Sequence, residues 1–341
     1  MKTGTTHAVT ADWRKIVARY QGSDHVRSLT QIATTLLPLL ALLYVMYRSL
    51  VLPYWTTLVL AVPTAGFLIR TFIIMHDCAH GSFLPWKRAN GIVGWITGVL
   101  TVTPFGRWRH DHALHHASSG DLDRRGHGDI ETLTVREYQA LSRAARFRYR
   151  IMRNPIVLLI GGPIHFMLTN RIPPKPVSVT KRQQISVWST NAAIVGIYLA
   201  ISLWVGWSVV PLVYVPAMYL AAAAGIWLFY VQHQFEGTYW QSHPTWDYAA
   251  AAIRGSSYLE LPGILRWFTG SIGLHHVHHL APRIPNYALK QCHDENPVFH
   301  DVTVITFAQS LRAFRLALWD ETREQLVSFR DVRRPGPVAS Q

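Results

Sequence analysis

Apolar and polar positions are laid out along this chain in long blocks, not at the short periods of a soluble core. Ser28 to Tyr47 is a run of twenty residues without a charge, closed by Arg27 and Arg48. Ser49 to Ile69 gives twenty-one more, and Gln183 to Phe235 holds no Lys, Arg, Asp or Glu for fifty-three. A helix crosses a bilayer core in about twenty residues. The first two runs therefore predict one span each and the third predicts two, with a turn near Gly206 to Pro211. The spans fall at about 28–47, 49–69, 185–207 and 209–231. The first run is long and no small-residue cleavage site follows it, so it reads as a span and not as a signal peptide. Ala89 to Gly106 and Asn154 to Asn170 are shorter, carry Gly and Pro, and read as re-entrant or interfacial segments.

Charge adds orientation to this layout. The 341 residues carry 33 Lys+Arg against 19 Asp+Glu, a net charge of +14. Nucleic-acid binders are basic too, but they do not carry such uncharged stretches. Residues 1–27 hold five Lys/Arg, 107–182 hold fourteen and 236–341 hold ten, whereas the two hairpin turns hold one between them. By the positive-inside rule both termini and the central loop face the cytoplasm, in a cytoplasmic (inner) membrane. Arg70 is expected to snorkel to the head groups. Cys78 and Cys292 are too few for a disulfide framework, and Cys78 reads as a small packing residue. The fold expected is an all-α integral membrane protein. It has four spans in two hairpins and a cytoplasmic helical cap, in one domain over 1–341 with a disordered tail from about 333.

Eighteen histidines are the chemical anomaly. His76 and His80 stand four apart just beyond the second span, on one face of a continuing helix. His112, His115 and His116 form HxxHH, and His275, His278 and His279 repeat it. Positions i, i+3 and i+4 share a helix face, as several ligands to one metal cluster require. His233, at the inner end of the fourth span, lies at the same membrane level and is a ninth candidate. Nine imidazoles exceed the coordination of one ion and suit two, with iron favoured among the metals that imidazole serves. Asp77 is placed to orient a ligating imidazole.

With these boxes in view, the chain resembles the membrane fatty-acid desaturase and hydroxylase superfamily, from about Arg27 to Phe329. The resemblance runs to bacterial acyl-lipid desaturases of the phospholipid delta-5 type, and more distantly to delta-12 (omega-6) enzymes. It extends through Ser119 to Gly126, Gly128-Asp129-Ile130, Tyr149-Arg150, Arg153-Asn154-Pro155, Trp227 to His233, Gly255-Ser256-Ser257 and Pro285-Asn286-Tyr287. It implies a non-haem di-iron centre held by the eight box histidines, with His233 matching a further ligand. Other members often carry a histidine where this chain has Gly81. His110 and His276 are expected to support the ligands or lie at the surface, and His127, His165, His243, His293 and His300 to be structural or exposed.

The activity implied is removal of two hydrogens from adjacent carbons of a membrane-lipid acyl chain, with O2 reduced to water. No dinucleotide fingerprint is present, and His243-Pro244-Thr245-Trp246 is the nearest string to a fused haem motif. Electrons are therefore expected from an external ferredoxin- or flavodoxin-like donor. The arginines from Arg136 to Arg153 either steer such a partner or bind lipid. Hydroxylation by the same centre is the nearest rival. A metal transporter or zinc-dependent membrane hydrolase is more remote, because the boxes sit at helix ends and not at the bilayer midplane.

Overall fold

The computed structural model describes residues 13–126, 130–173 and 180–333. Its first hairpin is α2 (His25–Ser49) and α3 (Trp55–His80), preceded by the short α1 (Trp13–Ala18). Asp24 opens α2 by accepting from the amides of Val26 and Arg27 (2.8 and 3.1 Å), which satisfies two of the donors a helix start leaves free. Gly81 ends α3 in the left-handed region at φ 69°. The uncharged run had placed the second span at 49–69. Instead α2 runs to Ser49, a turn containing Pro53 follows, and α3 continues to His80.

Within that continuation Arg70 does not reach outward as expected. Its guanidinium is buried, donates to the Trp267 carbonyl and lies 3.9 Å from the centre of the Trp267 ring. The aromatic face and carbonyl stand in for the head groups that the sequence reading assigned to it.

Next come α4 (Lys87–Leu100) and α5 (Phe105–Ser118), then α6 (Val135–Ala140) and α7 (Arg143–Met152). A π-helical turn at Val157–Gly161 leads into α8 (Gly162–Thr169), and this segment is bent by 64° from α7. The second hairpin, α9 (Lys181–Val205) and α10 (Val209–His233), turns at Gly206 (φ 97°). Among the described residues four helices, α2, α3, α9 and α10, are long and apolar enough to cross a membrane. Their outward residues include Leu37, Val59, Leu203 and Trp204, the last 91% exposed, a surface that only apolar surroundings suit. Inside, Ala61 and Ala65 of α3 meet Ala217 and Ala221 of α10 in one cluster with Leu39 and Met46 of α2. Small side chains let these backbones approach closely.

A cap lies over one end of the bundle. It contains α11 (Tyr248–Arg254), α12 (Gly263–Phe268), α13 (His275–Leu280), α14 (Asn286–Asp294) and α15 (Phe307–Ala313). The helical architecture also includes short strands: β1 (Leu133–Thr134), β2 (Tyr258–Glu260), β3 (Val304–Thr306), β4 (Leu316–Asp320) and β5 (Gln325–Ser328). β1, β4 and β5 form one sheet and β2 pairs in parallel with β3. Buried Arg153 fastens the first sheet to the bundle, donating to Gln234 Oε1 (2.8 Å) and the Leu316 carbonyl (3.0 Å). The expected tail beyond Arg333 lies outside the described residues, as does His127.

Gly81→Ala is expected to lower stability by about 1 kcal/mol, since a Cβ is penalised in the left-handed region. A thermal melt of the purified protein checks this, with Gly22→Ala as a control that leaves the midpoint unchanged. No atom lies within 4 Å of a Cβ built at either glycine, so the two differ in backbone conformation and not in space.

Candidate metal centre

α3 and α10 both end at the capped end of the bundle, and each ends in a histidine. α5, together with α13 of the cap, brings the two HxxHH boxes against those ends. All nine candidate histidines meet there and sort into two groups. His76, His80, His112, His116 and His278 form one; His115, His233, His275 and His279 form the other. Within each group one ring nitrogen per residue lies within 4.8 Å of all the others. Helix geometry explains the division. His112 and His116 are one turn apart and stay together, while His115 points to the second group. In α13 the pair His275 and His279 goes one way and His278 the other.

The nitrogens cannot satisfy one another by hydrogen bonding. His233 Nδ1 donates to the Gly255 carbonyl (3.2 Å), so its Nε2 carries a single in-plane lone pair. That Nε2 faces two nitrogens at once, His115 Nε2 at 3.2 Å and His275 Nε2 at 3.0 Å. His116 Nε2 likewise faces His112 Nε2 and His278 Nε2, both at 3.1 Å. An imidazole nitrogen can serve one partner, so converging lone pairs need a cation between them. Donors each about 2 Å from a shared ion stand about 3 to 4 Å apart, which is the spacing seen. Buried Nε2 atoms of His80 and His279 have no hydrogen-bond partner among the described residues. The donor set therefore fits two metal ions.

Surroundings hold the rings neutral. Burial pushes His112, His116, His275, His278 and His279 well below the usual imidazole range, and neighbouring imidazoles add to it. Trp108 stacks on His112 with ring centres 4.2 Å apart. Phe229 covers His115 and His233 at 5.1 and 5.3 Å. The Tyr248 hydroxyl donates to the His279 carbonyl (2.6 Å) and fixes the end of α13. The His76 ring donates from Nδ1 to Asp77 (3.0 Å).

The other histidines among the described residues stay outside. His276 is buried but turned away, 3.2 Å from His293 Nδ1, and burial takes it down to about 3. His300 donates to the His293 carbonyl, His243 donates to Asp121, and His110 and His165 are exposed. Cys78 is packed in an apolar cluster. No role was read from the sequence for Trp108 or Tyr248, and Phe229 and Gly255 stood there only within stretches that carry the resemblance. Trp108, four residues before His112, was the one with a legible spacing.

The fold thus sets two histidine groups that could each hold a metal at the ends of helices long and apolar enough to cross a membrane. A sequence model described as fatty acid desaturase matches residues 49–307, and the chain belongs to that family. A protein of Bacillus subtilis named fatty acid desaturase is 44% identical over 320 residues, covering 94% of this chain and 90% of its own length. An sn-1 acyl-lipid omega-3 desaturase (ferredoxin) of Synechocystis sp. is 28% identical over 64% of this chain. A chloroplastic omega-6 fatty acid desaturase of Brassica napus is 28% identical over 70%. The matches span 61% and 54% of those two proteins' own lengths.

The buried neutral histidines give the metal-free fold a pH dependence. Their folded pKa values lie below the unfolded 6.5, so as pH falls through that value the unfolded chain takes up protons first. The stabilisation is complete above pH 6.5 and is lost on acidification. The thermal midpoint of metal-free protein is expected to fall between pH 7 and pH 5; a flat profile contradicts the neutral assignment.

Proposed function

We propose that this chain desaturates acyl chains of membrane lipids, using two iron ions held by the nine histidines, with O2 reduced to water. The observation that carries the reading is the division of His76, His80, His112, His116 and His278 from His115, His233, His275 and His279. Two adjacent all-imidazole sites at the end of apolar spans suit an oxidant aimed at lipid. When bound, such a pair supplies the oxidising power that removes hydrogen from an unactivated methylene.

The protein's own part is placement and exclusion of water. α5 and α13 hold the two groups side by side, and the Gly255 carbonyl keeps the His233 lone pair turned inward. Trp108 and Phe229 shield the rings. A small cleft beside His233 has Ile130, Phe229, Tyr239 and Trp240 among its lining residues, with room for about one water and not for an acyl chain. No side-chain nucleophile or acid–base pair is required. The distribution of Lys and Arg supports a cytoplasmic-membrane orientation with both termini and the site facing the cytoplasm. The whole chain then works as one desaturase domain.

Electrons come from an external donor of the ferredoxin or flavodoxin type, a reading supported by the ferredoxin in the name of the Synechocystis relative. Within the arginine-rich stretch, Arg146, Arg150 and Arg153 are tied to Leu141, Tyr138 and Gln234. Arg136, Arg143 and Arg148 are exposed, Arg136 beside Glu321 at 3.5 Å, and can attract an acidic carrier.

The fatty-acid profile of bacterial membranes expressing the chain, with double bonds localised by gas chromatography, tests the activity. A new unsaturated acyl chain, absent with His275→Ala, is expected. A hydroxylated product moves the reaction to the sister outcome, and zinc without iron in the purified protein ends the reading. For the donor, reduction should quicken several-fold as ionic strength falls from 0.15 M to 0.01 M, where the screening length grows from about 8 to about 30 Å. A salt-independent rate removes the steering role.

A further inference from the structure

Asp77 is a buried carboxylate, 1% exposed, lying against the metal groups and drawing its donors from two distant parts of the chain. Oδ1 accepts from His76 Nδ1 at 3.0 Å. Oδ2 accepts from the backbone amide of Asn286 at 2.6 Å and from Asn286 Nδ2 at 2.8 Å. Asn286 is the first residue of α14, so the carboxylate also caps that helix, where a negative charge is favoured. Asn286 is itself 2% exposed and sits against Gly270, where a Cβ would come within 2.9 Å of its Oδ1. A carboxylate buried this deeply is stable only with its lone pairs used, and three donors use them.

We infer that Asp77 is the positioning residue for His76. Anchored by Asn286, it fixes the proton of His76 on Nδ1 and leaves Nε2 unprotonated, turned toward His80, His112, His116 and His278. The consequence is specific to one of the two sites. The inference rests on the two-metal reading of the preceding section and adds a residue that is not a ligand.

Chemistry singles out Asp77→Asn as the informative change. An amide has one acceptor oxygen, and the two Asn286 donors claim it. The amide NH2 then faces His76 Nδ1 and requires it to accept, which puts the imidazole proton on Nε2, the nitrogen needed for metal. Volume and shape are kept, so the fold is preserved while the tautomer is wrong.

The test uses the full-length protein in detergent, stripped and titrated with cobalt(II) against a chelator, with visible spectra and melting of the metal-free form. Wild type should bind two ions per chain. Asp77→Asn should weaken one of them 10- to 100-fold, the range typical for loss of a ligand's outer partner. The other ion and the metal-free melt should be unchanged. His275→Ala should instead weaken the ion that Asp77→Asn spares. Asn286→Ala, which keeps the carboxylate but loosens it, should give a smaller loss at the same site as Asp77→Asn, and decides the matter if that variant does not fold. Equal weakening of both ions, a loss that merely follows a lower melt, or wild-type binding in the folded variants overturns the role of Asp77. A wild type that binds fewer than two ions overturns the two-metal reading, and this inference with it.

Discussion

An imidazole nitrogen offers one hydrogen or one lone pair, and nine imidazoles meet here where little water reaches them. That constraint organises the molecule. His233 Nε2 and His116 Nε2 each face two other nitrogens at 3.0 to 3.2 Å, contacts that hydrogen bonds alone cannot satisfy. Protonating the rings relieves nothing, because burial disfavours the charge and the neighbours would repel it. Cations between the rings would resolve the conflict, and the rest of the fold holds the two groups where each could take one.

The bundle and the cap divide that work. α3 and α10 deliver His76, His80 and His233 from the ends of apolar helices, and small residues at their contact keep those ends close. α5 and α13 close the site from the other side, each splitting its HxxHH box between the two groups. Contacts far apart in sequence hold these pieces together: Asp77 to Asn286, Arg153 to Gln234, Tyr248 to His279.

Much of this was legible in the chain. Uncharged runs of membrane length located the four long helices, histidine spacing located eight of the nine residues that converge, and His233 was found by its place at the end of the fourth run. What failed was local. The second span was started at Ser49 because charge marks where a run ends but not where a turn falls; Pro53 and the following residues made the turn. Arg70 looked like an interfacial cation, but its partner is Trp267, 197 positions away, which no local pattern announces. The division of each HxxHH box between two groups was equally hidden, because it depends on which helix faces which. Trp108 could be read from its spacing to His112; the roles of Gly255 and Tyr248 could not, since the first acts through its own carbonyl and the second by its hydroxyl on the carbonyl of His279.

X-ray absorption at the iron edge of protein expressed with iron tests the central claim most directly. The account requires iron whose coordination sphere is nitrogen and oxygen only, with the multiple-scattering pattern of several imidazoles on each ion. A sulfur contribution, a sphere with no more than one imidazole, or an absence of iron alongside bound zinc would contradict it.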